Sequence, residues 1–361
     1  MVESPQKRER ARRETRRRFE QWAHNPECHA NVVSAVHNVK MSAVARRENP
    51  DVAMSGQSVF ALDRGNTFEA GLMADGAGRL LQALSSSEVI LDEAPQFADH
   101  RTVANGGSIP SLDVAVDTGH QLLVDLAGGS GFHGAVSSLT VRIPRGIMLP
   151  EATLIIDVLA VRQEDVPVIE VGEIKTYADQ GGHTNRGNLA AARAQMGLYV
   201  HALELTLESL GIGDKVRVSL RGFLVLTYPG SNQPSVRSGE DLQFQRERAR
   251  RGFDLMERSA LELSDQYGSG DDDDPDSLLD LVLHAETAFQ DSCLSFCDRA
   301  ETCFQHAMAK GRGVALGDDV ERFLNGISLH RLDELMSGAS PANAAESDLM
   351  VRLSNELPEL P

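Results

Sequence analysis

Two carboxylates and an amine lie close together in the middle of this chain. Asp157 sits in the apolar run LIIDVLAVR (154–162), and Glu173 and Lys175 sit in VIEVGEIKTY (168–177). Both runs read as β-strands, because β-branched and aliphatic residues dominate them. Residues two apart on a strand point the same way, so Glu173 and Lys175 share a face and Ile174 turns to the other. If the two strands pair, Asp157 comes beside Glu173. Burying such charges is costly unless they are paired or hold a metal. Hard carboxylates suit Mg²⁺ or Mn²⁺. Such a cation polarises a phosphate and activates a bound water, and Lys175 can orient that water or offset developing charge. This is chemistry for phosphodiester cleavage.

E-x-K alone is common on exposed strands, so the flanking elements carry weight. NLAAARAQMGLYVHALEL (188–205) reads as a helix and places Gln195 and Tyr199 at i, i+4 on one face. Arg186 and Arg193 flank that pair and are candidates for phosphate contact. Upstream, a helix is expected around residues 66–84, and Glu69 on it is a candidate third carboxylate.

The chain is sparing with cysteine. Three of four fall in CLSFCDRAETC (293–303) as Cys293, Cys297 and Cys303, and the fourth is Cys28. Four cysteines in a reducing compartment point to a metal, to redox chemistry or to nothing. The N-terminus has charge where a signal peptide needs an apolar core, and no apolar run approaches ~20 residues. The expectation is a cytoplasmic protein with no membrane partner.

At 361 residues and 41% hydrophobic, the chain can bury a sizeable core. Its net charge is −18, yet residues 1–18 carry eight Lys/Arg against Glu3, Glu9 and Glu14. The bulk charge argues against indiscriminate nucleic-acid binding and leaves room for a local basic groove. Ser4-Pro5 is a helix start, and the basic helix is expected to run to about Trp22. Residues 100–150 read as strands and loops. VRVSLRGFLVLTY (216–228) reads as a strand or hairpin, followed by helices at about 240–266 and 276–290. GSGDDDDPDS (268–277) reads as a solvated acidic loop, since a calcium loop needs ligands spaced through a longer pattern ending in Glu. The small, polar tail after about 335 predicts a loosely attached last helix.

In combination these residues resemble the RecB-like branch of the PD-(D/E)XK nuclease superfamily. The match runs in order through Gly65-Asn66-Thr67-Phe68-Glu69, Asp157, Glu173-Ile174-Lys175 and Gln195-Met196-Gly197-Leu198-Tyr199. It covers roughly residues 25–310. The resemblance implies an α/β, restriction-endonuclease-like core, a mixed sheet flanked by helices. It also implies a metal held by Asp157, Glu173, Ile174 and Glu69, a catalytic Lys175, and DNA contacts from Gln195 and Tyr199. One subgroup places one cysteine before these motifs and three after, and holds a [4Fe–4S] cluster with all four. It includes CRISPR-associated iron–sulfur exonucleases and the AddB nuclease domain. Cys28, Cys293, Cys297 and Cys303 resemble that set, so N- and C-terminal helical segments would be joined by the cluster. A Cys₄ zinc site is the alternative, although zinc ligands more often come as two C-x2-C pairs. The last three cysteines are spaced C-x3-C-x5-C where the family usually has C-x2-C-x5-C, and Glu69 stands where it often has His.

The implied organisation is a basic helix over 1–24, a nuclease domain over 25–312 and a helical extension over 313–361. The implied activity is Mg²⁺- or Mn²⁺-dependent DNA cleavage, expected as an exonuclease on single strands or ends. Its setting would be defence or repair, with protein partners from such a complex. The alternative is a DNA-end-binding or assembly subunit that keeps the fold without turnover.

Overall fold

The computed structural model describes residues 25, 27–37, 39–50, 59–100, 111–143, 152–180, 182–268, 274–290 and 293–356. The expected basic N-terminal helix lies outside them. Two compact units divide the chain. One comprises Gln57–Glu257; the other combines Arg17–Gly56 with Arg258–Pro361. These units cut the chain differently from the expected 25–312 and 313–361, because the N-terminal segment clusters with the C-terminal helices.

The first unit is α/β. Its elements are α3 (Val59–Ser86), β1 (Gln96–Asp99), α4 (Leu112–Ala127), β2 (Gly134–Ile143), β3 (Ala152–Gln163), β4 (Pro167–Ala178), α5 (Arg186–Ser209), β5 (Arg217–Thr227), β6 (Pro234–Asp241) and the first part of α6 (Gln243–Tyr267). The six strands form one mixed sheet in the order β1-β2-β3-β4-β5-β6. β1 runs parallel to β2 and β4 parallel to β5; the other pairs are antiparallel. β4 and β5 run parallel because α5 carries the chain back between them, as a parallel pair requires.

Helices cover both faces. α3 packs Phe68, Leu72, Leu80 and Leu84 against Val158, Ala160, Ile174, Phe223 and Val225. α5 lies on the opposite face: a Cβ on Gly222 would approach Met196 of α5, whereas the neighbouring Phe223 belongs to the α3 side. Gly172 is needed for the α3 side, since a Cβ there would lie 2.3 Å from the Phe223 ring. α3 contains a kink at Ala74–Ala77, where Asp75, Gly76 and Ala77 all have positive φ.

The region 100–150 departs from expectation. Residues 112–127 form α4, not strand and loop. Leu112, Ala115, Val116, Gly119, Leu123 and Leu126 are buried at helical spacing, and Ser111 caps the first turn. The local alternation in LDVAVD imitates a strand, but the wider spacing wins.

The second unit is helical: α1 (His29–Val36), α2 (Met41–Glu48), the end of α6, α7 (Pro275–His284), α8 (Cys293–Phe296), α9 (Ala300–Ala309), a 3₁₀ turn (Gly313–Leu316), α10 (Asp318–Leu324), α11 (Leu329–Met336) and α12 (Ala344–Glu356). Most of the acidic run lies outside the described residues; its last member, Asp274, caps α7. The last helix is not loose within this unit. Leu349 and Leu353 of α12 are buried with Leu324, and Arg331 pairs with Glu346. Among the described residues no helix is long and apolar enough to cross a membrane.

Candidate functional site

The carboxylates meet where two strands part. The β3–β4 ladder runs from Gln163↔Pro167 to Val158↔Gly172 and stops there. Asp157 occupies the next position on β3. Its carboxylate accepts the backbone N–H of Ile174 at 3.2 Å, so a side chain replaces the interstrand bond. The β2–β3 register also passes over this position, from Ser137↔Val158 to Leu139↔Ile156. Ser138, in the skipped position, has φ 56, a sparsely populated conformation for a non-glycine residue inside a strand. The sheet is locally opened on both sides of Asp157.

Glu173 and Lys175 follow on β4, on the α5 side. Glu173 is fully buried and ion-paired with Lys175. The Lys175 ammonium also lies 4.0 Å from Asp157 Oδ2, and both of those side chains keep a little over a fifth of their surface exposed. One amine thus serves two carboxylates, one sealed and one at the surface. Ile174 is buried on the α3 side.

Glu69 comes from the first half of α3. It is exposed as a residue, yet the protein around its carboxyl raises its pKa; the charge of Asp157 adds to the rise and Lys175 opposes it. Those influences bring Glu69 into the same electrostatic group as Asp157 and Lys175. Nearby, Arg64 reaches the Thr176 hydroxyl at 3.4 Å and ties this half of α3 to β4.

Gln195 and Tyr199 sit on the buried side of α5 and hydrogen-bond to each other. Tyr199 has no exposed surface at all, so the i, i+4 pair points into the fold. Gly197 between them permits close approach of α6, since a Cβ there would lie 2.5 Å from Gln245 Cβ. Arg193 bonds to the buried Glu240, which Arg237 also contacts at 3.2 Å. Arg193 is therefore a structural ion-pair member. Arg186, the first residue of α5, is exposed.

The four cysteines all belong to the second unit. Cys28 caps α1, Cys293 and Cys297 bracket α8, and Cys303 lies in α9. Cys28, Cys293 and Cys297 are buried and Cys303 is partly so. Burial pushes the Cys297 and Cys303 thiols up to about 12 and raises Cys293 as well. Each of these three also feels Cys28, so the thiols are neighbours electrostatically. Among the described residues, no three or more His, Cys, Asp or Glu side chains are drawn close enough to hold a metal ion.

Two residues beside the cysteines escaped the sequence reading. Asn25 is fully buried and donates to Ala288 O at 2.6 Å and to Cys293 Sγ at 3.2 Å. Arg299, between Cys297 and Cys303, is buried and forms a two-pronged bond with Glu48 at 2.7 and 2.6 Å. The signal was available for Arg299: an arginine inside a short cysteine-rich segment needs a carboxylate if that segment is buried. No protein-family model, curated protein or solved structure matches this chain.

Proposed function

We propose that the chain is a divalent-metal-dependent DNA nuclease with a restriction-endonuclease-like core of the RecB type. One observation carries the reading. Glu69, Asp157, Glu173 and Lys175, which are spread over more than a hundred residues of sequence, form one electrostatic group where β3 and β4 separate. Oxygen donors of one charge sign, backed by a single amine, suit a hard cation and an anionic substrate. Asp157, Glu173, the Ile174 carbonyl and Glu69 would hold that cation. When bound, it supplies a Lewis acid and a water of lowered pKa.

The chain's own groups do the rest. Asp157 is partly exposed and available to a ligand from outside. Glu173 is sealed beneath the surface, which fixes its orientation. Lys175 holds a proton at Nζ between two carboxylates and balances charge as the phosphate becomes more negative. Gln195 and Tyr199 act as positioning groups that hold α5 over β4. Arg186 is the exposed cation of α5 for a phosphate.

The four thiols fit an iron–sulfur group in donor chemistry: soft ligands, three of them buried, contributed by two distant segments. Cys28, Cys293, Cys297 and Cys303 would hold it and tie those segments together, with binding free energy spent on folding.

The test is incubation of anaerobically purified protein with end-labelled single-stranded and duplex DNA and Mn²⁺, beside Lys175→Ala. Cleavage by the wild type alone supports the reading. Equal cleavage by the variant removes Lys175 from the mechanism. A second reading, DNA-end binding without turnover, has one observation in its favour: the carboxylates are not gathered at metal-holding spacing. DNA binding by both proteins with cleavage by neither selects it.

A further inference from the structure

The start of α6 carries four arginines within six residues, and they fall into two sets. Arg246 pairs with Glu204 at 3.1 Å and with Glu247, and Arg250 pairs with Glu247 at 2.9 Å. Arg248 and Arg251 are exposed and have no partner among the described residues. They stand four and seven positions after Phe244, which places all three on one helix face. Phe244 is 65% exposed, and Leu255, four residues past Arg251 on the same face, is 49% exposed. The opposite face is ordinary core, with Ala249, Phe253 and Met256 buried.

An exposed phenylalanine thus heads a row of two guanidiniums on a chain of net charge −18. The carboxylates that quench Arg246 and Arg250 leave this face alone. Gln245, next to Phe244, abuts Gly197 of α5, so the stripe starts where α6 packs on α5.

We propose that Phe244, Arg248 and Arg251 form a docking surface for a single DNA strand. The ring offers a stacking platform to an unpaired base, and the guanidiniums take neighbouring phosphates. A duplex hides its base faces, so it can use the arginines but not the ring. The choice of DNA as ligand rests on the nuclease reading; the surface itself rests on the stripe.

The test uses the full chain with EDTA, so that nothing is cut. Anisotropy of a fluorescein-labelled oligo(dT) is followed for wild type, Phe244→Ala, Phe244→Trp, Arg248→Gln/Arg251→Gln and Lys215→Gln, with circular dichroism to confirm folding. Phe244→Ala is expected to weaken binding by roughly 5- to 100-fold and Phe244→Trp to restore it. The double arginine variant is expected to flatten the plot of log affinity against log salt by about 1.4, two phosphate contacts on a single strand. Lys215→Gln, at an exposed lysine outside the stripe and the candidate site, is expected to bind as wild type does.

Wild-type binding by both the phenylalanine and arginine variants overturns the surface. If the wild type still cuts DNA in Mn²⁺, the nuclease reading survives that loss. A strand that binds through the stripe but is never cut keeps the surface and removes the nuclease. Tighter binding of labelled poly-glutamate than of oligo(dT) overturns the assignment to a DNA strand.

Discussion

Replacing Arg299 with Met should destabilise the second unit more than any surface change in it. The guanidinium donates to both oxygens of Glu48, at 2.7 and 2.6 Å, and to the carbonyls of Val282 and Leu283 at 3.5 and 3.4 Å. Its side chain is 5% exposed and that of Glu48 is 16% exposed. Removing one member of a buried pair leaves the other charge without compensation, at about 3–5 kcal/mol. Residual solvent at Glu48 favours the lower end, about 3 kcal/mol. With a urea m-value near 2 kcal/mol/M, the midpoint of metal-free protein should fall by about 1.5 M. Circular dichroism during urea titration reads this directly. Glu48→Gln alone should also destabilise, and Glu48→Leu/Arg299→Met should recover much of the loss, because both charges are then gone. The cycle should show a coupling well above the ~0.5 kcal/mol expected of independent sites. An Arg299→Met midpoint within error of wild type, or strictly additive single losses, would refute the reasoning that Arg299 and Glu48 act as one buried pair.

Other outcomes follow from the same structure. Glu69 has a raised pKa, so the fold favours its neutral form; metal-free stability is lost as pH climbs from the ordinary value of 4.5 through the raised one. Glu69→Gln should therefore stabilise metal-free protein at pH 7 and have no such effect well below pH 4.5, as read by thermal melts. Thiols at Cys297 and Cys303 hold protons to about 12 against an ordinary 9.0, so metal-free stability should decline between those pH values. Cys297→Ala should shallow that decline in urea midpoints taken across the range. Gly172→Ala should cost about 1–3 kcal/mol by driving a methyl into the Phe223 ring, and Phe223→Leu in the same chain should return part of it.

The central strands of the sheet were legible because they announce themselves, while β1 and β6 were not expected. The runs 154–162 and 168–177 became Ala152–Gln163 and Pro167–Ala178, and the Ala-rich helix became Arg186–Ser209. What failed was local. Leu112-Asp113-Val114-Ala115-Val116-Asp117 alternates like a strand, and only the burial of Gly119, Leu123 and Leu126 beyond it sets the helical period. The polar tail hid a helix held by Leu349 and Leu353, two residues that a composition argument averages away. Where the units divide was also hidden, since the cut falls after Glu257, inside the continuous helical pattern of α6.

Shared faces were legible in the sequence, and the burial of each side chain was not. Spacing two apart put Glu173 and Lys175 on one face, but nothing in the spacing says that Glu173 is sealed while Asp157 is reached by solvent. That difference arises at Ser138 and Asp157, where the ladders lapse on both sides. A regular ladder would carry the Ile174 N–H to a β3 carbonyl. Because the strands part there, the Asp157 carboxylate takes that N–H, and the lapse itself aims the side chain. The same limit applies to Gln195 and Tyr199. A spacing of four fixes a shared face, yet α5 is apolar on most sides, so the sequence does not say which face the sheet takes. The structure turns the pair inward and leaves other side chains exposed on this part of the fold: Arg186 at the start of α5, and Phe244, Arg248 and Arg251 on α6. Spacing in a sequence therefore fixes which residues share a face, while what is sealed and what is reached by solvent has to be read from what the fold leaves uncovered.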